Sequence, residues 1–374
     1  MDFIIDRADL LAAIEKCALA VPDPKHPTEV FRVMTVDATK KKTVRFAAIG
    51  EYLTVDTVSK ADIKTGGTFN VYPRHLGNVA SSMPPGRIQF SMKGTRVTAK
   101  SLVSSRKATF EHHGIDIKPI DDPGKSVAWA QVDSQELVLV LRMVKSASTW
   151  HDRNDPEVSL LIPTPRGLDV FGCSGYLISL VESSIRIDGD PIMMPATATA
   201  VLQLMAPDDA RLKIFSNKQR VYLENADTLV SAALPAQYLF LESHPRYIQL
   251  LKKPDNVEGS TFDLSLLQAG VKAVLALGGL ATDTEKKGAR GYRLQVGIGA
   301  VVTVELGFSA ADAKDEFEVE MTGEKLEFGL SSMFFDQMLT SLVGVKKVQA
   351  LRADNMLVLR GDGVLAGIME EKPL

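Results

Sequence analysis

The sequence predicts an α+β fold made of three consecutive copies of one module, each with two helices packed on antiparallel sheets. Two observations carry this. A strand running into an amphipathic helix recurs three times, and further along each copy a strand, short helix and β-hairpin recur as well. A third observation sets the scale: copies of about 125 residues are far longer than the roughly 20 to 50 of solenoid and propeller repeats, so each copy is a domain with its own core.

The first unit occupies Phe3 to Ala20, Ala128 to Ala147 and Thr261 to Leu277, and its leucines Leu10, Leu137 and Leu266 lie 127 and 129 residues apart. Apolar residues return at helical spacing in Leu10, Leu11, Ile14 and Ala18, and in Leu137, Leu141, Val144 and Ala147. Alternating strand sequence follows in Thr43 to Thr57, Val158 to Ile187 and Tyr292 to Phe308. The second unit starts at Thr68, Pro191 and Leu326, with helices through Leu76 to Met83, Ala198 to Met205 and Phe334 to Leu342. Its hairpins alternate apolar and polar residues around the polar turns Lys93-Gly94, Asn217-Lys218 and Ala353-Asp354-Asn355. Each copy therefore holds two β-α-β-β-β-like halves. Pro- or charge-rich links at 118–125 and 243–245 place the domains at 1–125, 126–245 and 246–374.

Composition excludes several classes. With 45% hydrophobic and 24% charged residues the chain reads as globular, and no apolar run approaches the roughly 18 residues of a membrane span. The opening Met1-Asp2-Phe3 has an acid where a signal peptide needs bases, so a cytoplasmic protein without membrane partners is expected. Cys17 and Cys173 alone cannot build a disulfide framework and are expected as buried small hydrophobes. A net charge of -3 argues against non-specific coating of DNA, while leaving room for a local basic surface.

Catalytic motifs are weak. Ser174 lacks the strand-turn-helix context of a nucleophile elbow. Gly297 and Gly299 begin a dinucleotide fingerprint that Val302 breaks, inside strand sequence. His151, Asp152, Asp155 and Glu157 fall in a polar loop, the pair His112-His113 points to opposite sides of a strand, and there is no P-loop. No catalytic residue, metal or cofactor is expected.

Against this background, Phe3-Ile-Ile-Asp-Arg-Ala-Asp-Leu-Leu, His26-Pro27-Thr28, Gly172-Cys-Ser-Gly-Tyr-Leu, His244-Pro-Arg-Tyr247 and Ala289-Arg-Gly-Tyr-Arg-Leu294 fall in the order and spacing of the bacterial DNA polymerase III β subunit. The whole chain resembles this β sliding clamp family. The resemblance implies three tandem DNA-clamp domains, and a head-to-tail homodimer forming a closed ring of twelve inner helices through which duplex DNA passes without sequence readout. DNA-facing cations would be Lys16, Arg74, Arg142, Lys145 and Lys272 on inner helices, Lys25 and His26 on the adjoining loop, and the cluster Lys286, Lys287, Arg290. Acids such as Asp312, Asp315, Glu316, Glu318 and Glu320 would face outward.

The same resemblance implies an apolar groove for short linear motifs of the DNA polymerase, clamp loader and repair proteins, including Cys173, Gly175, Tyr176, Leu177, Ile178, Pro245, Leu250, Ile368 and Met369. Two departures stand out. The tail Met369-Glu370-Glu371 exchanges apolar groove wall for carboxylates, and the first-domain edge Arg106-Lys107-Ala108-Thr109-Phe110 carries a Lys where the family often has an aromatic, facing a helix with a longer tail, Leu277 to Glu285. Both keep open a specialised or accessory clamp-like scaffold, such as a second, phage or plasmid copy, with altered partner preference.

Overall fold

The computed structural model describes residues 1–21, 25–114, 123, 127–148, 157–174, 176–207, 211–235, 244–253, 259–276, 293–307, 312–319 and 324–370. These form two compact units, one from residues 1–138 and 193–236, the other from 139–192 and 237–374.

Along the chain, the first copy runs β1 (Asp2–Asp6), α1 (Arg7–Ala20), β2 (Met34–Asp37), β3 (Thr43–Ile49), β4 (Leu53–Thr65), then β5 (Thr68–Val71), α2 (Pro73–Ser82), β6 (Arg87–Lys93), β7 (Arg96–Ser101) and β8 (Lys107–Glu111). The second runs β9 (Ala130–Asp133), α3 (Ser134–Ser148), β10 (Val158–Thr164), β11 (Gly167–Cys173), β12 (Leu177–Ser183), then β13 (Ile192–Pro195), α4 (Ala196–Met205), β14 (Arg211–Ser216), β15 (Arg220–Glu224) and β16 (Thr228–Ala233). After α5 (His244–Lys252), the third runs β17 (Thr261–Asp263), α6 (Leu264–Leu275), β18 (Arg293–Ile298), β19 (Val301–Gly307), β20 (Asp312–Glu318), then β21 (Leu326–Ser331), α7 (Ser332–Ser341), β22 (Lys347–Ala353), β23 (Met356–Gly361) and β24 (Val364–Met369). Every copy is β-α-β-β-β twice over, the six half-units expected from sequence.

Local chemistry explains the strand-to-helix switch. Asp6 ends β1 and accepts from the Ala8 N–H at 2.8 Å, Asp133 ends β9 and accepts from the Glu136 N–H at 2.8 Å, and Ser331 ends β21 and accepts from the Phe334 N–H at 3.4 Å. Each cap satisfies an orphan donor of the first turn, worth about 0.5–2 kcal/mol. In α2, Pro73 takes a first-turn position that needs no N–H. The buried stripes then coincide: Leu10, Ala13, Ile14 and Cys17 in α1, Leu137, Val140, Leu141 and Val144 in α3, Leu267, Gly270, Val271 and Val274 in α6. Each leucine is the fourth residue of its helix, so the third-copy equivalent is Leu267. Leu266, the residue expected from spacing, is 44% exposed.

In the first unit the strands run β8-β7-β6-β1-β4-β16-β15-β14-β9, with β3 on β4, β2 on β3 and β5 on β2. The length of β4 follows from its duties: Leu53–Thr57 pairs with β16, and Ala61–Thr65 pairs with β1. Helix α1 packs on β3 and β4 and against α2 and α4. In the second unit β10-β11-β12-β24-β23-β22-β17 run in that order, beside a four-stranded sheet β20-β19-β18-β21. The expected link at 243–245 is corrected in part: His244 and Pro245 open the nine-residue helix α5. Pro245 suits a first turn, and Tyr247, Ile248 and Leu251 share a helical face that the sequence displayed. Of the first link, only Pro123 is described. Among the described residues no helix is long and apolar enough to cross a membrane.

Candidate functional site

The groove residues expected from sequence converge on the second unit, but on two different surfaces. In the β11-β12 hairpin, Gly172 and Ser179 face α3: a Cβ at Gly172 would lie 2.7 Å from the Val144 carbonyl oxygen, and the Ser179 hydroxyl donates to the Met143 carbonyl at 3.5 Å. Leu177 shares that face, as does Ile368, its register partner on β24, and both are buried. These two are therefore core residues beneath the sheet, which corrects their assignment to an accessible groove wall.

The opposite face carries Cys173 and Ile178, together with Phe171, Leu180, Leu365 and Gly367, residues that sequence reasoning missed although their period-2 alternation with Cys173, Ile178 and Met369 displayed them. Helix α5 packs across this face. Leu251 is fully buried, with its Cδ2 3.1 Å from where a Gly367 Cβ would lie, so the missing side chain lets the helix approach. At the other end of α5 the His244 and Phe171 rings lie 6.4 Å apart. The Lys252 ammonium donates to Asp169 Oδ2 at 2.7 Å and lies 3.1 Å from Glu182 Oε1, holding the helix across both strands of the hairpin. Burial works against the Lys252 charge, but its hydrogen bonds to Asp169 and Glu182 outweigh that, and its pKa is raised.

The rim of this face is partly open. Tyr247, Leu250 and Met369 are half-buried and Pro245 is exposed. Tyr176 is half-buried and stacks on Phe334 of α7, with ring centroids 4.8 Å apart, while its carbonyl accepts from the Met369 N–H at 3.0 Å. Gly175 lies outside the described residues. Ser174 is buried in the hairpin turn, where its hydroxyl accepts from the Leu177 N–H at 3.3 Å. The tail carboxylate of Glu370 does not stand free in the groove: it accepts from the Gly329 N–H of β21 at 3.3 Å.

No family model and no curated protein matches the sequence. Solved structures do. The DNA polymerase III β subunit of Thermotoga maritima superposes with a TM-score of 0.85 at 15% identity, and that of Pseudomonas aeruginosa with 0.82 at 14%, each over 100% of both chains. The sliding clamp of Caulobacter crescentus gives 0.81 at 16%, again over 100% of both. The chain has the β sliding clamp fold. At such identity the backbone is shared while most side chains differ, so the chemistry of this clamp fold rests on its own residues.

The cations expected to face DNA fare unequally. In the first unit Arg74 on α2 and Lys25 are exposed, and His26 is half-buried, its Nε2 3.7 Å from Glu51. Lys16 is 5% exposed, so its expected place on an accessible face is corrected. It lies in line with Ala13 and Ala20 on a helix covered by a sheet and by two neighbouring helices, which bury more than the single stripe that periodicity assumes. Beside it, burial pushes the Cys17 thiol far above its usual pKa, with Asp56 adding to and Lys16 opposing the shift. Both cysteines are free and buried, as expected.

In the second unit of this clamp fold Arg142 and Lys145 are exposed on α3. Lys272 on α6 is exposed at a pocket of about 290 Å³ formed with Gln268, Asp336 and Thr340. Lys286, Lys287 and Arg290 lie outside the described residues, as do 151–156, Glu320 and Leu277 to Glu285. Among the acids expected to face outward, Glu316 and Glu318 are exposed. Asp315 instead turns toward α6, its Oδ2 2.6 Å from where a Gly270 Cβ would lie.

Proposed function

We infer that this chain is a DNA sliding clamp that closes into a ring as a head-to-tail homodimer. The observation that carries this is an unused pairing. Each copy ends its first half on β4, β12 or β20 and its second half on β8, β16 or β24. Within the chain β16 pairs with β4 and β24 with β12, both antiparallel, while β20 and β8 stand at the ends of their sheet orders. Applying the same pairing a third time joins β20 of one chain to β8 of another, and two such joints close a ring. Charge supports it: β20 reads Asp-Ala-Lys-Asp-Glu-Phe-Glu, and β8 starts with exposed Lys107, after Arg106.

The ring's three domains, 1–125, 126–245 and 246–374, present Arg74, Arg142, Lys145 and Lys272 to the duplex, with Lys25 on a loop; contacts to phosphate alone leave the ring free to slide. Lys16 has no part in this. The α5-covered face of β11, β12 and β24 receives linear motifs of the polymerase, the loader and repair proteins, with apolar anchors seated between Tyr176, Tyr247, Leu250 and Met369. The chain acts as a tether without catalysis of its own.

Sedimentation at micromolar concentration should give a dimer, and after loading by a bacterial clamp loader the protein should stay on circular DNA and leave linearised DNA. A strict monomer lost equally from both overturns the proposal. Arg142→Glu with Lys145→Glu should weaken retention on circles without changing the melting temperature, because exposed charges contribute little to a core.

A further inference from the structure

The exposed face of β6, β7 and β8 has a charge that a threaded ring does not use. Alternation places Arg87, Lys93, Arg96, Lys100 and Lys107 on this face with one acid, Glu111, in a chain whose net charge is -3. Arg87 is bonded to Asp62. The other four are exposed, and none forms an ion pair with a described residue. Lys93 stands directly opposite Arg96, and Lys100 directly opposite Lys107. Like charges directly opposed in a sheet are destabilising; Glu111 stands opposite Arg96 and offsets the first pair, while Lys100 and Lys107 have no acid opposite them on these strands, a cost that an anionic ligand removes.

We propose that this face binds the phosphate backbone of duplex DNA outside the ring. The helices lie on the other side: Phe90, Val97 and Phe110 are buried there, and the His75 ring of α2 sits 5.4 Å from Phe110. DNA running along the helices therefore does not touch the cationic strip, and the two sites are separate. The exposed face of these strands carries no aromatic residue, so it lacks the stacking platform that single strands use and fits a backbone instead. Its two cation pairs sit four residues apart, about 13 Å along the strands, close to four phosphate steps of one duplex strand. Lys107 also lies on the edge offered to β20, so the part of the strip that does not depend on ring closure is Lys93, Arg96 and Lys100.

The test uses the full chain without a loader and a 20-base-pair linear duplex, from which a ring would slide. Fluorescence anisotropy between 50 and 200 mM salt should give a slope of log affinity against log salt of about -2.7, for three neutralised phosphates. Lys93→Ser with Arg96→Ser and Lys100→Ser should flatten it to near zero and weaken binding more than tenfold at the low-salt end. The same variant should keep its retention on circles after loading, which Arg142→Glu with Lys145→Glu loses, so failure of the ring and failure of this face read differently. Should the triple variant not fold, Lys100→Gln alone should lower the slope by about 0.9. An unchanged slope, no binding of wild type at 50 mM salt, or capture of polyglutamate in place of duplex overturns the proposal.

Discussion

The two joints between copies share a backbone plan and differ in side chains. At the first, β4 meets β16, and the sheet face away from the core mixes Leu229 and Tyr222 with Thr54, Asp56, Ser231, Arg45 and Arg220: Arg45 is paired with Asp56 at 2.6 Å, and the Thr54 hydroxyl donates to the Ser231 carbonyl at 3.2 Å. At the second, β12 meets β24, and the corresponding face carries Ile178, Leu180, Leu365 and Met369, with α5 laid over it. A face whose polar groups bond one another, as Arg220 does with Ser231 and Arg45 with Asp56, needs no helix over it. An apolar face costs free energy in water unless something lies on it, so the helix covers part and leaves a half-buried rim at Tyr247, Leu250 and Met369. Identical pairing thus yields a plain joint in one place and a candidate binding groove in the other.

The strongest way to break this contrast is to remove the anchor of α5. Leu251→Ala leaves a cavity at a fully buried site and should cost about 2–5 kcal/mol. Chemical denaturation should read that loss, and hydrogen exchange should show it concentrated in residues 244–252. Uniform protection there would mean that the helix does not depend on the apolar face. Next comes the latch. Lys252→Met removes the bridge to Asp169 and Glu182 and, with its solvent screening, should cost about 1 kcal/mol.

The latch also has a pH signature. Because its pKa is raised in the folded chain, the contribution of Lys252 is complete below the ordinary lysine value of 10.5 and disappears as pH rises through the raised value. Exchange in 244–252 should be insensitive to the latch from pH 6 to 9 and rise at stronger alkali, while the first joint, held by arginine and hydroxyls, should not follow. An effect of similar size is expected at that first joint. The hydroxyls of Thr57 and Thr228 meet at 2.8 Å and are buried. Thr57→Val alone strands a buried hydroxyl and should cost about 1 kcal/mol or more, whereas adding Thr228→Val should recover most of it. A double mutant no better than the single would show that the pair is not the unit that matters.

An acid-side test sharpens the view of the free edge β8. His113 follows that strand and pairs with Asn70 of β5, and burial lowers its pKa, with Glu29 opposing and His112 and His75 adding to the shift. A lowered histidine pKa means stability present above the ordinary value of 6.5 and lost as pH falls through the folded value. Exchange at residues 107–113 should increase below about pH 6.5 in wild type and be nearly flat in His113→Asn.

Much of the fold was legible without coordinates. Helix and strand periods and polar turns are local signals, and their threefold recurrence gave the six half-units. Site residues were legible only in part. Ser174, Tyr176 and the tail at 368–370 were found by resemblance, but resemblance does not say which sheet face a residue takes, and so Leu177 and Ile368 were grouped with Ile178. Leu266 illustrates the same limit: a one-residue slip in a repeat preserves the spacing almost unchanged and moves a side chain from core to surface. Helix α5 was missed because His244-Pro245 reads as a link before the stripe Tyr247, Ile248, Leu251 is weighed.

By itself, the sequence determined the β-α-β-β-β module and its six occurrences, because periodicity and turn chemistry act over a few residues. Tertiary structure alone decided that Lys16 is buried, that Glu370 is engaged by β21, that α5 covers the second joint and not the first, and that β8 and β20 are left as edges. Those outcomes depend on which strands meet and what lies across them, and that is set by packing between segments distant in sequence, from 41 residues for Gly329 and Glu370 to 177 for Thr54 and Ser231.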